Sequence, residues 1–221
     1  MEFTWVEGST SWFRIKAGDK IIHIDPSYYP KGHAHGPEMK DKADLILITH
    51  SHAGHFQRQT VGDITGNSTV IIAPRNVAKK LGPAEHVIVA GPGKEQDIGW
   101  VKVKVVYAYN LGLKGHILHK KGQCVGYLLT VDGKTIYHAG DTDFIPEMKQ
   151  LGHVDLAMLP IGGTFTMDVD SAAEAAKTIA AQFVVPMHNL KTPTSELKVR
   201  LVNSPGIQVI LAEHGNPFQP F

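Results

Sequence analysis

The feature that most constrains this chain is a short apolar run that ends in a cluster of histidines. Residues 45–48 are Leu-Ile-Leu-Ile, and His50, His52 and His55 lie within the next seven residues. A short apolar run bounded by polar residues is typical of a buried β-strand, and His50 and His52 share a face if the chain stays extended. Neutral imidazole is a common metal ligand, so the cluster indicates a metal site at a strand end.

Composition argues against several classes of function. The chain has 221 residues, with 22 Lys and Arg against 21 Asp and Glu, a formal net charge of +1. The sequence contains no block of like charges, which argues against a nucleic-acid-binding groove. Its apolar runs are shorter than the roughly 18 residues that a membrane span requires. The single cysteine, Cys124, excludes an intrachain disulfide and is expected as a small buried residue in a strand.

The N-terminus lacks the basic and apolar regions of a secretory signal. Together with the composition, this leads us to expect a cytoplasmic protein without nucleic-acid or membrane partners. Whether the protein forms a homo-oligomer is left open, because nothing in the sequence bears on the oligomeric state.

Strand signals dominate the first half of the chain, and strands alternate with helices in the second. Asp132-Gly133, between two β-favouring runs, predicts a two-residue hairpin. A helix is predicted over 172–181, capped by Asp170 or Ser171. No linker separates the halves, so we expect one mixed α/β domain over residues 1–221, with two sheets and helices outside.

Side chains able to bind metal also follow other apolar runs. The ends of strands meet at one edge of a layered α/β fold, where loops build binding sites. We therefore expect a site assembled from distant segments, with room for two metals. The candidates are Asp25 after residues 21–24, Asn110, His116 and His119 after the strand ending near Tyr107, Asp141 after residues 137–140, and His188 after residues 184–187.

Motifs in a fixed order run through nearly the whole chain. They are Ile24-Asp25-Pro26, residues 48–55 against the pattern T-H-x-H-x-D-H, Ala108-Tyr109-Asn110, His119-Lys120-Lys121-Gly122, residues 137–143, residues 159–163 and Pro186-Met187-His188. In this order and spacing they resemble the metallo-β-lactamase-fold hydrolases. Within that family they resemble a small archaeal and bacterial branch related to the L-ascorbate-6-phosphate lactonases. The resemblance implies a four-layer αββα sandwich with metals at the sheet edge.

The resemblance also implies roles for individual residues. His50 and His52 would hold a first metal, His55 and His188 a second, and Asp141 would bridge both. Asp25 would orient the site without binding metal. Asn110, His116 and His119 stay open as the residue that completes the first site. One or two zinc ions per chain are expected, with manganese, iron and nickel as alternatives.

Two positions depart from the family pattern. The aspartate between the second and third histidines is Gly54 here, and that aspartate normally binds the second metal. The usual Gly-His near the N-terminus is Gly8-Ser9. Loss of the aspartate removes a negative charge and an oxygen ligand, which leaves His55, Asp141 and His188 for a weaker second metal.

The function implied is metal-dependent hydrolysis of a small ester, lactone or phosphoester by a metal-activated water or hydroxide. His119 or His138 would donate a proton to the leaving group or bind it. The alternative is a metal-binding protein of this fold that is weak or inactive as a catalyst, acting as a sensor or scaffold. Nucleic-acid processing is a third hypothesis, against which the neutral charge argues.

Several of these residues also have ordinary structural explanations. Asp25 before Pro26 is a frequent turn opener, and His119 beside two lysines suits a solvated loop. His138 is expected to be buried against the sheet, while His33 and His35 are expected on a loop surface. Phe165 and Met167 suit either a substrate pocket or the core.

Overall fold

The computed structural model describes residues 1–28, 36–82, 86–112 and 118–221. Its strands are β1 (Glu2–Trp5), β2 (Phe13–Ala17), β3 (Lys20–Ile24), β4 (Ala43–Leu47), β5 (Thr65–Pro74), β6 (Val87–Ala90), β7 (Glu95–Asp97), β8 (Lys102–Ala108), β9 (Cys124–Val131), β10 (Lys134–His138), β11 (Leu156–Pro160), β12 (Phe183–Met187), β13 (Gln208–Val209) and β14 (Pro217–Phe218). Its α-helices are α1 (Arg58–Ile64), α2 (Arg75–Leu81), α3 (Val169–Ile179) and α4 (Ser195–Arg200). Two 3₁₀ turns cover Pro37–Met39 and Pro146–Gln150.

The chain divides into two compact units, each with its own sheet. Unit 1 comprises residues 1–90, 212–219 and 221, and unit 2 comprises residues 91–211 and 220. The mixed α/β class with two sheets agrees with the sequence prediction. None of the helices in the described ranges is long and apolar enough to cross a bilayer.

The sheet of unit 1 has seven strands in the order β14-β1-β2-β3-β4-β5-β6. Strands β1 to β3 are antiparallel, whereas β3 to β6 pair in parallel, so β3 and β4 end at the same edge. Helix α2 packs on β5 and β6. Buried side chains of the strands and of both helices form one apolar cluster that includes Trp12, Ile46, Ile64 and Val77. This core fixes the strand ends that precede the histidine cluster.

The sheet of unit 2 has the order β13-β12-β11-β10-β9-β8-β7. Strands β7 to β10 are antiparallel, and β10 to β13 are parallel. Strands β8, β10, β11 and β12 therefore run in one direction and end at one edge. The predicted hairpin at Asp132-Gly133 is confirmed: both residues have positive φ, 50° and 72°, as a type I′ turn requires.

The cap predicted for the helix of unit 2 is wrong. Helix α3 begins at Val169, and the Asp168 side chain accepts a hydrogen bond from the Ser171 backbone N–H at 2.9 Å. Asp170 and Ser171 both lie inside the first turn, because Asp168 rather than either of them occupies the N-cap position. The helix ends at Ile179, where Ala180 adopts a left-handed conformation with φ 52°.

Helix α1 had no recognised signal in the sequence. Its Gly62 and its β-branched residues Thr60 and Val61 are poor helix formers. Thr60, Val61 and Ile64 are buried, so tertiary packing rather than local propensity selects the helix. The 3₁₀ turn at Pro37–Met39 precedes β4, while His33 and His35, expected on a loop surface, lie outside the described residues.

A buried histidine in β3 shows how unit 1 depends on a neutral imidazole. His23 is fully buried, and its Nδ1 accepts a hydrogen bond from Trp12 Nε1 at 2.8 Å. Its Nε2 has no hydrogen-bond partner among the described residues. Burial, with a smaller contribution from the Arg14 charge, lowers the pKa of His23 to about 3.

We expect acid to destabilise the metal-free protein through this residue. The folded-state pKa of His23 lies below the unfolded value of about 6.5, so stability is greatest above pH 6.5 and falls as the pH drops toward 3. Between pH 6.5 and pH 4 the loss should be about 3 kcal/mol. Urea titrations in a chelator at both pH values measure it. His23→Gln, which keeps an acceptor for Trp12 but does not titrate, should lose less; equal losses in both proteins would contradict the assignment.

Candidate metal centre

The histidine cluster of unit 1 starts from two adjacent parallel strand ends. Asp25 follows β3 with φ 54°, a left-handed conformation that aspartate tolerates better than most residues. Its backbone N–H still donates to Leu47 O at 2.8 Å, so the ladder with β4 continues to this point. Asp25 and Thr49 therefore meet where the two strands end.

The Asp25 carboxylate is completely buried and accepts three hydrogen bonds. Thr49 donates through its backbone N–H to Oδ1 and through its hydroxyl to Oδ2, both at 2.7 Å. His55 Nδ1 lies 2.7 Å from Oδ2. Because an ionised carboxylate only accepts, His55 must carry a proton on Nδ1. Its lone pair is then on Nε2, the state in which imidazole binds a metal.

The same reasoning fixes the tautomer of His50. The Thr49 hydroxyl has one proton, and it is donated to Asp25. The contact between Thr49 Oγ1 and His50 Nδ1, at 2.9 Å, must therefore be a donation from the imidazole. His50 also presents its lone pair on Nε2. One buried carboxylate thus sets the proton positions on both His50 and His55.

The three imidazoles of the cluster lie against each other. The ring centroids of His50 and His55 are 4.0 Å apart, and those of His50 and His52 are 4.6 Å apart. The backbone turns tightly, because the N–H groups of His55 and Phe56 both donate to His52 O at 2.9 Å. The predicted grouping of His50, His52 and His55 is therefore present within unit 1.

Two hydroxyl groups hold the turn that contains Gly54. Thr10 Oγ1 donates to Gly54 O at 3.1 Å, and Ser27 Oγ donates to Ala53 O. A Cβ at position 54 would lie 3.0 Å from Thr10 Oγ1. The φ angle of Gly54 is not positive, so the backbone itself admits a side chain. The main obstacle to a side chain at position 54 is therefore Thr10, which would have to move by a few tenths of an ångström.

In unit 2, Asp141 lies between two imidazoles. His188 Nε2 is 3.3 Å and His119 Nε2 is 3.5 Å from Asp141 Oδ2. These separations exceed the usual hydrogen-bond distance of about 2.9 Å. Ligand atoms about 2.0–2.1 Å from a tetrahedral metal lie about 3.3–3.4 Å apart. Asp141 Oδ2 is thus spaced from each imidazole nitrogen as two atoms that share an ion would be.

Asn110 orients His119, and both ends of its side-chain amide form hydrogen bonds. Its Oδ1 accepts from His119 N at 2.9 Å, and its Nδ2 donates to Phe165 O at 2.8 Å. His119 Nδ1 lies 3.1 Å from both Asn110 Oδ1 and Phe165 O, two acceptors, so the proton is on Nδ1. Of the three residues left open for this position, Asn110 and His119 contact each other and His119 lies beside Asp141, whereas His116 lies outside the described residues.

His138 has the opposite tautomer. It is fully buried at the end of β10, as expected for a residue packed in the sheet, and Gly140 N donates to its Nδ1 at 3.3 Å. The proton of the neutral ring is therefore on Nε2. His138 is in the state of a proton donor at that atom rather than of a metal ligand.

Gly162 is required by the position of His188. A Cβ on Gly162 would lie 2.5 Å from His188 O, closer than any real contact allows. His188 itself has φ 43°, an uncommon conformation for a residue other than glycine. In the sequence Gly162 stands out only as part of the motif at residues 159–163, since close backbone approach leaves no signal beyond the glycine itself.

The donor chemistry of both groups fits a divalent metal. Three of the imidazoles have their lone pairs fixed on Nε2 by buried acceptors, as is usual for histidines that bind zinc. Thr49, Asn110 and the Phe165 carbonyl were not identified as orienting groups. Thr49 had a visible signal as the first residue of the family pattern T-H-x-H-x-D-H, and Asn110 was marked only as a candidate ligand after a strand end.

Comparison with known proteins agrees with this chemistry. Residues 2–188 match the model of the beta-lactamase superfamily domain. The chain is 37% identical to a UPF0173 metal-dependent hydrolase of Bacillus pumilus over 192 residues, 82% of this chain and 83% of that protein.

Solved structures show the same relationship. A protein from Parabacteroides distasonis, assigned as a metal-dependent hydrolase, superposes with a TM-score of 0.82 at 34% identity, covering 94% of this chain and 91% of that one. The metallo-beta-lactamase fold protein YhfI from Bacillus subtilis gives 0.72 at 16% identity and covers 98% of each chain, which supports the fold alone.

We expect Asp25→Asn to weaken metal binding although Asp25 is not assigned as a ligand. The amide removes the negative charge and replaces an acceptor with a donor, so the protons on Thr49 and His55 lose their fixed positions. Zinc affinity should fall about 10–100-fold. Competition with a chelator of known affinity measures it, with far-ultraviolet circular dichroism as the check on folding. Asp19→Asn, at a side chain that is 89% exposed, is the control; equal affinities in both variants would contradict the role of Asp25.

Proposed function

Because the chain belongs to the beta-lactamase superfamily and to its UPF0173 metal-dependent hydrolases, we propose a hydrolytic function for it. The proposed reaction is zinc-dependent hydrolysis of a small ester, lactone or phosphoester. The observation that carries the proposal is the fixed Nδ1 proton of His50, His55 and His119. Such orientation serves metal binding, because it presents the Nε2 lone pairs without rearrangement.

The proposed metal ligands are those implied by the family resemblance: His50, His52 and His55 of unit 1, and Asp141 and His188 of unit 2. His119 is proposed as a further ligand, since its Nε2 carries a lone pair near Asp141. Bound zinc would lower the pKa of water toward 7 and polarise the bond under attack. Manganese, iron and nickel remain alternatives that the same donors accept.

The other residues of the site act on protons and orientation. Asp25 keeps the Nδ1 proton of His55 in place and, through Thr49, that of His50. Of the two histidines considered for the leaving group, His138 holds its proton on Nε2 and can donate a hydrogen bond from that atom. We therefore assign binding of the leaving group to His138 rather than to His119. A cytoplasmic location is proposed as well, supported by the single buried cysteine, Cys124.

Gly54 favours one alternative, a metal-binding member of the fold with little turnover. The oxygen ligand of the family pattern is missing at this position, and Thr10 lies where a side chain would enter. A chain that holds one metal well and a second weakly would suit a sensor or scaffold better than an efficient hydrolase.

Replacement of Gly54 separates the two functions. We expect Gly54→Asp to raise the affinity for a second zinc by restoring an oxygen ligand, and to increase turnover at least about tenfold if that metal limits the rate. Metal counts by mass spectrometry and turnover on ester, lactone and phosphoester panels are measured in both proteins. Gly54→Asn displaces Thr10 equally but supplies no charge, so it controls for the steric change.

The outcomes distinguish the proposals. Two metals with turnover in the chain as it stands would exclude the sensor or scaffold. One metal or none, with turnover only in Gly54→Asp, would exclude the hydrolase as proposed.

A further inference from the structure

Large apolar side chains are exposed around Asp141, His119 and His188, which we call the ligand group of unit 2. Leu111, Leu118, Phe165 and Leu190 are 37%, 46%, 37% and 51% exposed. Single exposed apolar residues are ordinary on any protein surface, whereas a group of them beside a polar site marks a binding surface. We call these four residues the apolar rim.

Hydrogen bonds tie the backbone of the rim to the ligand group. Leu118 N donates to Asn110 Oδ1 at 3.2 Å, and Phe165 O accepts from the Asn110 amide at 2.8 Å. Asn110 in turn orients His119. Leu111 N donates to Asp143 Oδ2 at 2.8 Å, two residues after Asp141.

Leu190 reaches the same group from another strand end. It lies two residues after His188, and its Cγ would be 3.0 Å from a Cβ on Gly162. The rim is therefore held by the contacts that position His119 and His188.

The backbone at two rim positions is strained. Phe165 has φ 58° and Leu190 has φ 51°, in the left-handed region that disfavours bulky side chains. Glycine or asparagine would be accommodated there with less strain. Both side chains are nevertheless more than a third exposed. Backbone strain of this kind is typical of ligand-binding positions.

We propose that the rim binds an apolar acyl or aryl group of the substrate, next to the scissile bond. The inference rests on the proposed function and narrows it to esters and lactones with a hydrophobic acyl part. Lys120 and Lys191, each adjacent to a rim or ligand residue in sequence, are exposed, which disfavours a cationic group at this surface.

The first test is the dependence of kcat/KM on acyl length. The zinc-loaded protein is assayed with p-nitrophenyl esters from acetate to octanoate, and with δ-lactones with and without an alkyl chain. We expect kcat/KM to rise about twofold or more per methylene group, because each one removes apolar surface from water. The measured quantity is the octanoate-to-acetate ratio, which cancels effects common to all substrates.

Substitutions at the strained positions identify the surface. Phe165→Asn and Leu190→Asn suit the left-handed backbone and remove the apolar side chain, so the ratio should fall at least about fivefold. Val199→Asn and Val202→Asn alter apolar residues that are 64% and 75% exposed elsewhere in unit 2, and they should leave the ratio as it is. A ratio that is flat, or equally reduced in all four variants, would overturn the rim as the acyl site while turnover itself upholds the proposed function.

A binding measurement keeps the two proposals apart if no substrate is turned over. Calorimetry compares 2-nonanone with butanone on the zinc-free protein, since neither ketone is hydrolysed. Tighter binding of 2-nonanone that is lost in Leu190→Asn supports the rim even if the hydrolase proposal has failed. Equal binding of both ketones, or no effect of the substitution, overturns the rim.

Discussion

The histidine cluster depends on the buried carboxylate of Asp25. This group has lone pairs for several donors and no proton to give, so its neighbours must point their protons toward it. The direction of each hydrogen bond from Thr49, His50 and His55 follows from that single fact. The strand pairing that brings β3 beside β4 is what places the carboxylate within reach of all of them.

In unit 2 the proton of His119 is also held on Nδ1, but by neutral acceptors. The Nδ1 proton of His119 is directed at the amide oxygen of Asn110 and the carbonyl of Phe165. A neutral amide and a backbone carbonyl orient the imidazole without adding charge beside Asp141. Both units thus contain imidazoles that carry the proton on Nδ1 and the lone pair on Nε2, one group oriented by an ionised carboxylate and the other by neutral dipoles.

The positions of the strand ends that carry the candidate site could be predicted from the sequence, because strand ends leave strong local signals. An apolar run followed by Asp25, His50, Asp141 or His188 marks where a strand stops and a polar loop starts. The role of Asn110 was not visible, since it depends on a contact with Phe165, 55 residues away. Helix α1 was hidden for a related reason: its stability comes from burial of Val61 and Ile64, whereas its local propensity is low.

The contact between Thr10 and Gly54 makes the two positions mutually dependent. The hydroxyl that donates to the glycine carbonyl also lies 3.0 Å from the position of a Cβ on residue 54. A side chain gained at position 54 therefore forces a shift at position 10, 44 residues earlier in the sequence. A smaller residue at position 10 would remove that steric conflict and change the effect of the substitution at position 54. Substitutions at these positions should show epistasis, so the order in which a lineage acquires or loses them is constrained.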